Sequence, residues 1–109
     1  MRYSIILLLM CSLVFGQVGK NLQVLKVESK AELKKHMEGM ASDLGVKCVF
    51  CHNMRDKSSD QNKHKVIARE MLKMTNTINN DFLKWENADQ VTCWTCHQGN
   101  KFPVAKDIE

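Results

Sequence analysis

Apolar residues recur along this chain as one short unbroken run followed by two helical stripes, with polar segments between them. The run, Ile5 to Phe15, follows the basic Arg2 and ends at Gly16-Gln17. About 11 apolar residues between a basic and a small residue match a secretory leader, with cleavage expected after Gly16. The run is shorter than the roughly 20 apolar residues of a membrane-spanning helix. Residues 1–16 are therefore expected to be a signal peptide and residues 17–109 the mature domain. An uncleaved anchor is the competing interpretation. Cys11 would suit a lipidated N-terminus, but Met10 is a poor residue ahead of such a cysteine, so Cys11 is assigned to the leader.

Beyond the leader, Asn21 to Val27 alternates polar and apolar residues and predicts an extended arm or a short strand. Ser29-Lys30-Ala31-Glu32 has the spacing of a capping box with Ser29 as N-cap. A first helix is expected from Lys30 to Asp43, with Leu33, Met37, Met40, Ala41 and Leu44 on one stripe and Gly45 as its stop. Asn53 to Asn62 is polar and reads as a surface loop. A second helix is expected from Lys63 to Asn79, its stripe formed by Ile67, Met71, Met74 and Ile78 with His64 nearby. Asp81 to Trp85 suggests a short third helix, and Asn87 to Gln90 a turn. The fold class is mostly α, with few or no strands.

Each helix leads into the same pentad, Cys48-Val49-Phe50-Cys51-His52 and Cys93-Trp94-Thr95-Cys96-His97. Cys-x-x-Cys-His is the attachment pattern of a c-type haem. Its thiols can form thioethers with the porphyrin vinyls, and its histidine can bind iron from the same side. Two copies use four of the five cysteines, so two haem c groups are expected. Helix, turn and pentad thus form one unit used twice. Zinc or thiol redox chemistry is the weaker alternative. The two Cys-x-x-Cys pairs lie much further apart than the roughly 15–20 residues of a zinc ribbon, and no βαβ pattern surrounds either pair. Disulfides suit an exported chain, but they leave the two adjacent histidines unexplained.

The chain has 109 residues, enough for one small domain, and its mature part holds few aromatics: Phe50, Phe82, Trp85, Trp94 and Phe102. A core that small needs help, which two haems would provide. The polypeptide without haem is expected to be largely unfolded. Sixteen basic residues face twelve acidic ones. Losing Arg2 leaves about +3, and four propionates bring the total to about −1, so the basic balance is no argument for a nucleic-acid partner.

His52 and His97 are the expected proximal iron ligands. The second axial ligand separates electron transfer from ligand chemistry. Met37 lies about seven residues before the first helix ends, or roughly 10 Å, close to the width of a porphyrin. Met37 is the candidate for the first haem, with Met40 as alternative. Met71 and Met74 compete for the second. Each methionine could equally be filling a gap in the core. His36 lies off the first stripe and is expected to face solvent, while His64 is expected at a haem edge. Phe50 and Trp94 read as local packing.

Several segments together, Leu44-Gly45-Val46-Lys47-Cys48 through His52-Asn53, Ala68-Arg69-Glu70-Met71, Ile78-Asn79 and Val91-Thr92-Cys93 through Gln98-Gly99, resemble the photosynthetic reaction-centre cytochrome c subunit family. The resemblance runs from about Asn21 to Pro103. In that family the ligand methionine stands on a helix ahead of its pentad, which implies Met37 for the first haem and Met71 for the second. The family's full-length subunit is tetrahaem, whereas this chain has two pentads, so the resemblance implies fold and ligation rather than a pathway.

The expected function is that of an exported, periplasmic dihaem cytochrome passing electrons between redox proteins or to a membrane respiratory or photosynthetic complex. Membrane contact would come only through a partner or through an uncleaved or lipidated N-terminus. The alternative is a haem enzyme of the dihaem peroxidase kind, or a gas-binding sensor, with an open distal site. A methionine-bearing helix ahead of each pentad argues against it.

Overall fold

The structure, a computed structural model, describes residues 18–103. The leader expected over residues 1–16 lies outside the described residues. Three α-helices order the described residues: α1 (Lys30–Leu44), α2 (Lys63–Thr77) and α3 (Cys93–His97). A 3-10 turn at Cys48–Phe50 and a π-helical turn at Ile78–Phe82 complete the set. No strand occurs among the described residues; the arm at 21–27 is irregular, with bends at Asn21, Gln23 and Val24.

The start of α1 follows the expected cap. Ser29 Oγ accepts from the Glu32 N–H at 3.1 Å, and Glu32 Oε2 accepts from the Glu28 N–H at 2.8 Å. The helix ends at Gly45, whose φ of 64° lies in the left-handed region. There the Gly45 N–H donates to the Ser42 carbonyl (3.1 Å) and the Val46 N–H to the Ala41 carbonyl (3.0 Å), so the last carbonyls of the helix are satisfied. Asn62 caps α2 through Oδ1, which accepts from the His64 N–H at 2.9 Å.

The third helix expected at Asp81–Trp85 does not form. Instead α2 runs into the π turn, where the Leu83 N–H donates to the Ile78 carbonyl at 3.1 Å. The Asn79-Asn80-Asp81 stretch is a weak helix former. Asn79 also has a competing use: its Nδ2 donates to the Val91 carbonyl (2.9 Å) and its Oδ1 accepts from the Val91 N–H (2.8 Å). The π turn thus sits where α2 is clamped to the strand-like lead of the second pentad.

The covered faces of the two long helices differ. On α1 the predicted stripe of Leu33, Met37, Met40, Ala41 and Leu44 is half-buried and His36 is exposed. On α2 the half-buried residues include His64, Lys65, Ala68, Arg69, Leu72 and Thr75; of the predicted stripe, Ile78 in the π turn is half-buried, while Ile67, Met71 and Met74 are exposed where they line the cleft. The reason is a polar knot that draws the N-terminal arm onto the other side of α2. Asp60 Oδ1 accepts from Asn21 Nδ2 (3.0 Å) and Arg69 Nη2 (2.9 Å), and Lys65 Nζ stands 3.0 Å away. Arg69 Nη2 also donates to the Asn21 carbonyl at 3.1 Å.

The hydrogen bonds from Arg69, Asn21 and Lys65 hold the Asp60 carboxyl well below the usual carboxylate range. The folded state therefore binds the Asp60 proton more weakly than the unfolded chain. Its stabilising contribution is complete above about pH 4 and is lost as pH falls below that value. Asp60→Asn should flatten this acid limb of stability. Denaturant midpoints compared at about pH 3 and pH 7 check this, and an unchanged acid limb would count against the knot.

Among the described residues no side chain is fully buried. Apolar packing instead surrounds a central cleft.

Candidate functional site

Both pentads open onto one apolar cleft of about 480 Å³. Its walls include Cys48, Cys51 and His52 from the first pentad and Cys93, Cys96 and His97 from the second. Met37 and Met40 of α1 and Met71 and Met74 of α2 line the same cleft. Every site residue expected from the sequence therefore meets in one space, although they come from segments up to sixty residues apart. The space is within the roughly 300–1,000 Å³ range of cofactor sites. Met40 also borders a shallower recess beside Cys93, Leu72 and Thr75, which Met37 does not reach.

Local chemistry explains how each pentad is held. In the first, the Phe50 N–H donates to the Lys47 carbonyl (2.9 Å) and the His52 N–H to the Cys48 carbonyl (2.9 Å), which coils the segment tightly. The second forms a full helical turn, started by a reciprocal Thr92–Thr95 capping box. That box was readable in the sequence as a Thr-x-x-Thr spacing, but the pattern is weaker than Ser-x-x-Glu. Coiling brings the two cysteines of each pentad to the same side as the following histidine. Cys48, Cys51, Cys93 and Cys96 are all free thiols. Burial pushes the Cys51 thiol up; burial and then the charge of Asp43 push the Cys93 thiol up.

The two pentad histidines share one arrangement. His52 Nδ1 lies 2.9 Å from the Lys57 carbonyl, and His97 Nδ1 lies 2.9 Å from the Asn100 carbonyl. A carbonyl only accepts, so Nδ1 must carry the proton and Nε2 keeps its lone pair. This is how protein carbonyls orient metal-binding imidazoles. His64 has a similar bond, Nδ1 to the Phe50 carbonyl at 3.1 Å, and its ring stacks on Phe50 with centroids 4.1 Å apart. It is among the residues that line the cleft. Among the described residues no three His, Cys, Asp or Glu side chains gather around a single point suited to a metal ion.

Tertiary contacts set the spacing of the pentads. The Phe50 carbonyl also accepts from Asn62 Nδ2 at 3.0 Å, tying the first pentad to the start of α2. Asn79 ties the other end of α2 to the second pentad. The exit of the second pentad returns to α1, where the Gly99 N–H donates to the Asp43 carbonyl at 2.8 Å.

Charge in the cleft has one sign. Its charged lining residues are Lys47, Lys65, Arg69 and Lys101, and among the described residues no carboxylate lines it. Paired thiols, oriented imidazoles, thioether donors, apolar walls and a cationic rim fit a haem, which is apolar across its face and carries two carboxylates. The donor set thus suits covalent c-type attachment.

The family described as photosynthetic reaction centre cytochrome C subunit matches residues 13–107. The photosynthetic reaction center cytochrome c subunit of Rubrivivax gelatinosus is 40% identical over 99 residues, covering 85% of this chain and 25% of that protein. The cytochrome c-554 of Chloroflexus aurantiacus is 37% identical over 82 residues, covering 71% and 20%. The Thermochromatium tepidum reaction center cytochrome c subunit is 34% identical over 90 residues, covering 81% and 22%. The chain thus spans a quarter or less of the length of these relatives. The match takes in both pentads, both long helices and the turns that join them: this chain belongs to the photosynthetic reaction-centre cytochrome c subunit family.

Proposed function

We propose that this protein is an exported dihaem c-type cytochrome that carries electrons between redox partners. The observation that carries the proposal is the single cleft in which two Cys/His pentads face the methionines of two helices. Cys48 and Cys51 attach one haem and Cys93 and Cys96 the other. His52 and His97 are the proximal ligands, and Met37 and Met71 complete the axial pairs, with Met40 and Met74 as alternatives. The bound haems supply one-electron chemistry; the polypeptide fixes their orientation and excludes water.

The carbonyls of Lys57 and Asn100 hold the two imidazoles with Nε2 presented for binding. The helices α1 and α2 bring thioether sulfur to the same cleft, where Met37 and Met71 would complete the coordination of a bound haem. A filled sixth position leaves no room for oxygen or peroxide to bind, and methionine raises the potential relative to a second histidine. Both favour electron transfer over enzymatic turnover.

Residues 1–16 fit export to the periplasm with cleavage after Gly16. No helix among the described residues is long and apolar enough to cross a membrane. The partners are redox proteins or a membrane respiratory or photosynthetic complex, met through a small, transient interface.

Intact mass and a pyridine haemochrome assay test the count, and a mass of polypeptide alone would end the proposal. For ligation, Met37→Ala and Met71→Ala should each remove roughly half of the Met–iron charge-transfer absorbance of the oxidised protein and open one haem to carbon monoxide. Wild-type reduced protein should bind none at neutral pH. Carbon monoxide binding by the wild type would instead favour a sensor or enzyme with an open site.

A further inference from the structure

Two successive left-handed residues, Gln98 at φ 49° and Gly99 at φ 80°, turn the chain back as it leaves the second pentad. The turn is pinned twice: the Gly99 N–H donates to the Asp43 carbonyl and the Asn100 N–H to the His97 carbonyl, each at 2.8 Å. Lys101, Phe102 and Pro103 then line the cleft that both pentads share. Lys101 Nζ stands over the ring of Phe50, 4.9 Å from its centroid, and 5.7 Å from the centroid of Phe102. Phe50 lies between the two thiols of the first pentad. A cation carried by the exit of one unit is therefore seated on the attachment segment of the other.

The seat itself is fixed. The Phe50 ring packs on His64 with the planes 15° apart, and its carbonyl accepts from Asn62 Nδ2. Among the described residues the ion pairs engage Lys34, Lys65, Arg69 and Lys73, and Lys101 is in none of them. An aromatic face attracts a cation without neutralising it. The charge of Lys101 is thus held at the first pentad with no carboxylate paired to it there.

We propose that Lys101 tunes the carrier: it raises the reduction potential of the haem attached at Cys48 and Cys51 more than that of the haem at Cys93 and Cys96. This rests on the dihaem reading above. Reduction adds one electron to a haem iron, and a cation held nearby favours the reduced form by Coulomb attraction. The second unit thereby helps to set the potential of the first, and Lys101 controls the gap between them.

Potentiometric titration of the holoprotein tests this. Each midpoint is assigned to its haem by the haem-methyl resonances in contact with Cys48 and Cys51 or with Cys93 and Cys96. At low ionic strength Lys101→Met should lower the first midpoint by about threefold in the reduction equilibrium, or about 28 mV for a one-electron couple, and the second by less. Lys101→Glu, which reverses the charge, should lower the first by about tenfold, or about 59 mV. Lys101→Arg keeps both the charge and the aromatic contact and should hold the wild-type value. High salt should shrink the shifts. A readout independent of potential is the denaturant midpoint, on which Lys101→Met and Phe50→Leu should act non-additively. Unchanged midpoints, a larger fall at the second haem, equal falls in Lys101→Met and Lys101→Arg, or additive stability effects would each overturn the proposal. Haem counting on the wild type decides the dihaem reading separately, so the two ideas fail in different experiments.

Discussion

Replacing Cys48, Cys51, Cys93 and Cys96 together with serine is expected to abolish cooperative folding. The described part of the chain has no fully buried side chain, and Ile67, Met71 and Met74 are 41–49% exposed along the cleft. Full burial of such a side chain contributes about 1.5–3 kcal/mol, so covering the exposed part of each contributes about 1 kcal/mol. Lining residues on both long helices benefit, so the total is comparable to the ~5–15 kcal/mol that separates a folded domain from its unfolded state. Backbone caps and clamps alone do not offset the conformational entropy of ordering the chain. The quadruple variant should show no sharp thermal transition by circular dichroism and poorly dispersed amide resonances, whereas the holoprotein should melt cooperatively. A sharp transition with native-like dispersion in the variant would show that the polypeptide packs a core of its own. Losing one pentad only, Cys93→Ser with Cys96→Ser, should leave an intermediate state, because α1 would keep its cap and the first pentad its links to α2.

The second large effect is at Gly45. Its φ of 64° costs a residue with a Cβ about 1–2 kcal/mol. The added carbon would also collide with the backbone carbonyl of Gly99. Backbone cannot rotate away as a side-chain tip does, so α1 and the exit of the second pentad must separate. Gly45→Ala should therefore destabilise the holoprotein by about 2–5 kcal/mol, strain and overpacking combined. For a domain of this size that is a Tm fall of roughly 10–30 °C. Gly39 is the control. It lies in the middle of α1, and a Cβ there meets nothing within 4 Å. Gly39→Ala should leave stability unchanged or raise it by up to about 1 kcal/mol. Equal effects at the two positions would mean that helix propensity, and not the Gly45–Gly99 approach, sets the result.

The parts legible in the sequence were those encoded over a few neighbouring residues. Ser29 and Glu32 announced the start of α1, Gly45 its end, and the stripe of Leu33, Met37, Met40, Ala41 and Leu44 its covered face. The pentads were legible for the same reason: two thioethers and a ligand imidazole must reach one porphyrin, which fixes their spacing. Even the position of His64 followed from its place near a helical stripe. The expected third helix does not form because the helical backbone running on from α2 ends at Phe82, with Leu83 at φ −91° and ψ 63°; Asn79, inside that turn, uses its side chain to hold Val91, twelve residues away.

On α2 the sequence could not decide which face is covered. Periodicity named Ile67, Met71, Met74 and Ile78; Ile78 is half-buried, but on α2 itself Lys65, Ala68, Arg69, Leu72 and Thr75 are half-buried while Ile67, Met71 and Met74 line the cleft. Arg69 reaches Asn21 across forty-eight positions, and no local pattern records such a partner. The sequence alone determined two Cys-x-x-Cys-His pentads, the helices ahead of them and the family, because those depend on short-range spacing. Only the tertiary structure decided that both pentads share one cleft, that Gly99 returns to α1, and that Arg69 stands in the cleft wall tied to Asn21 and Asp60. Those depend on contacts between distant segments, whose formation reflects the packing of the whole chain.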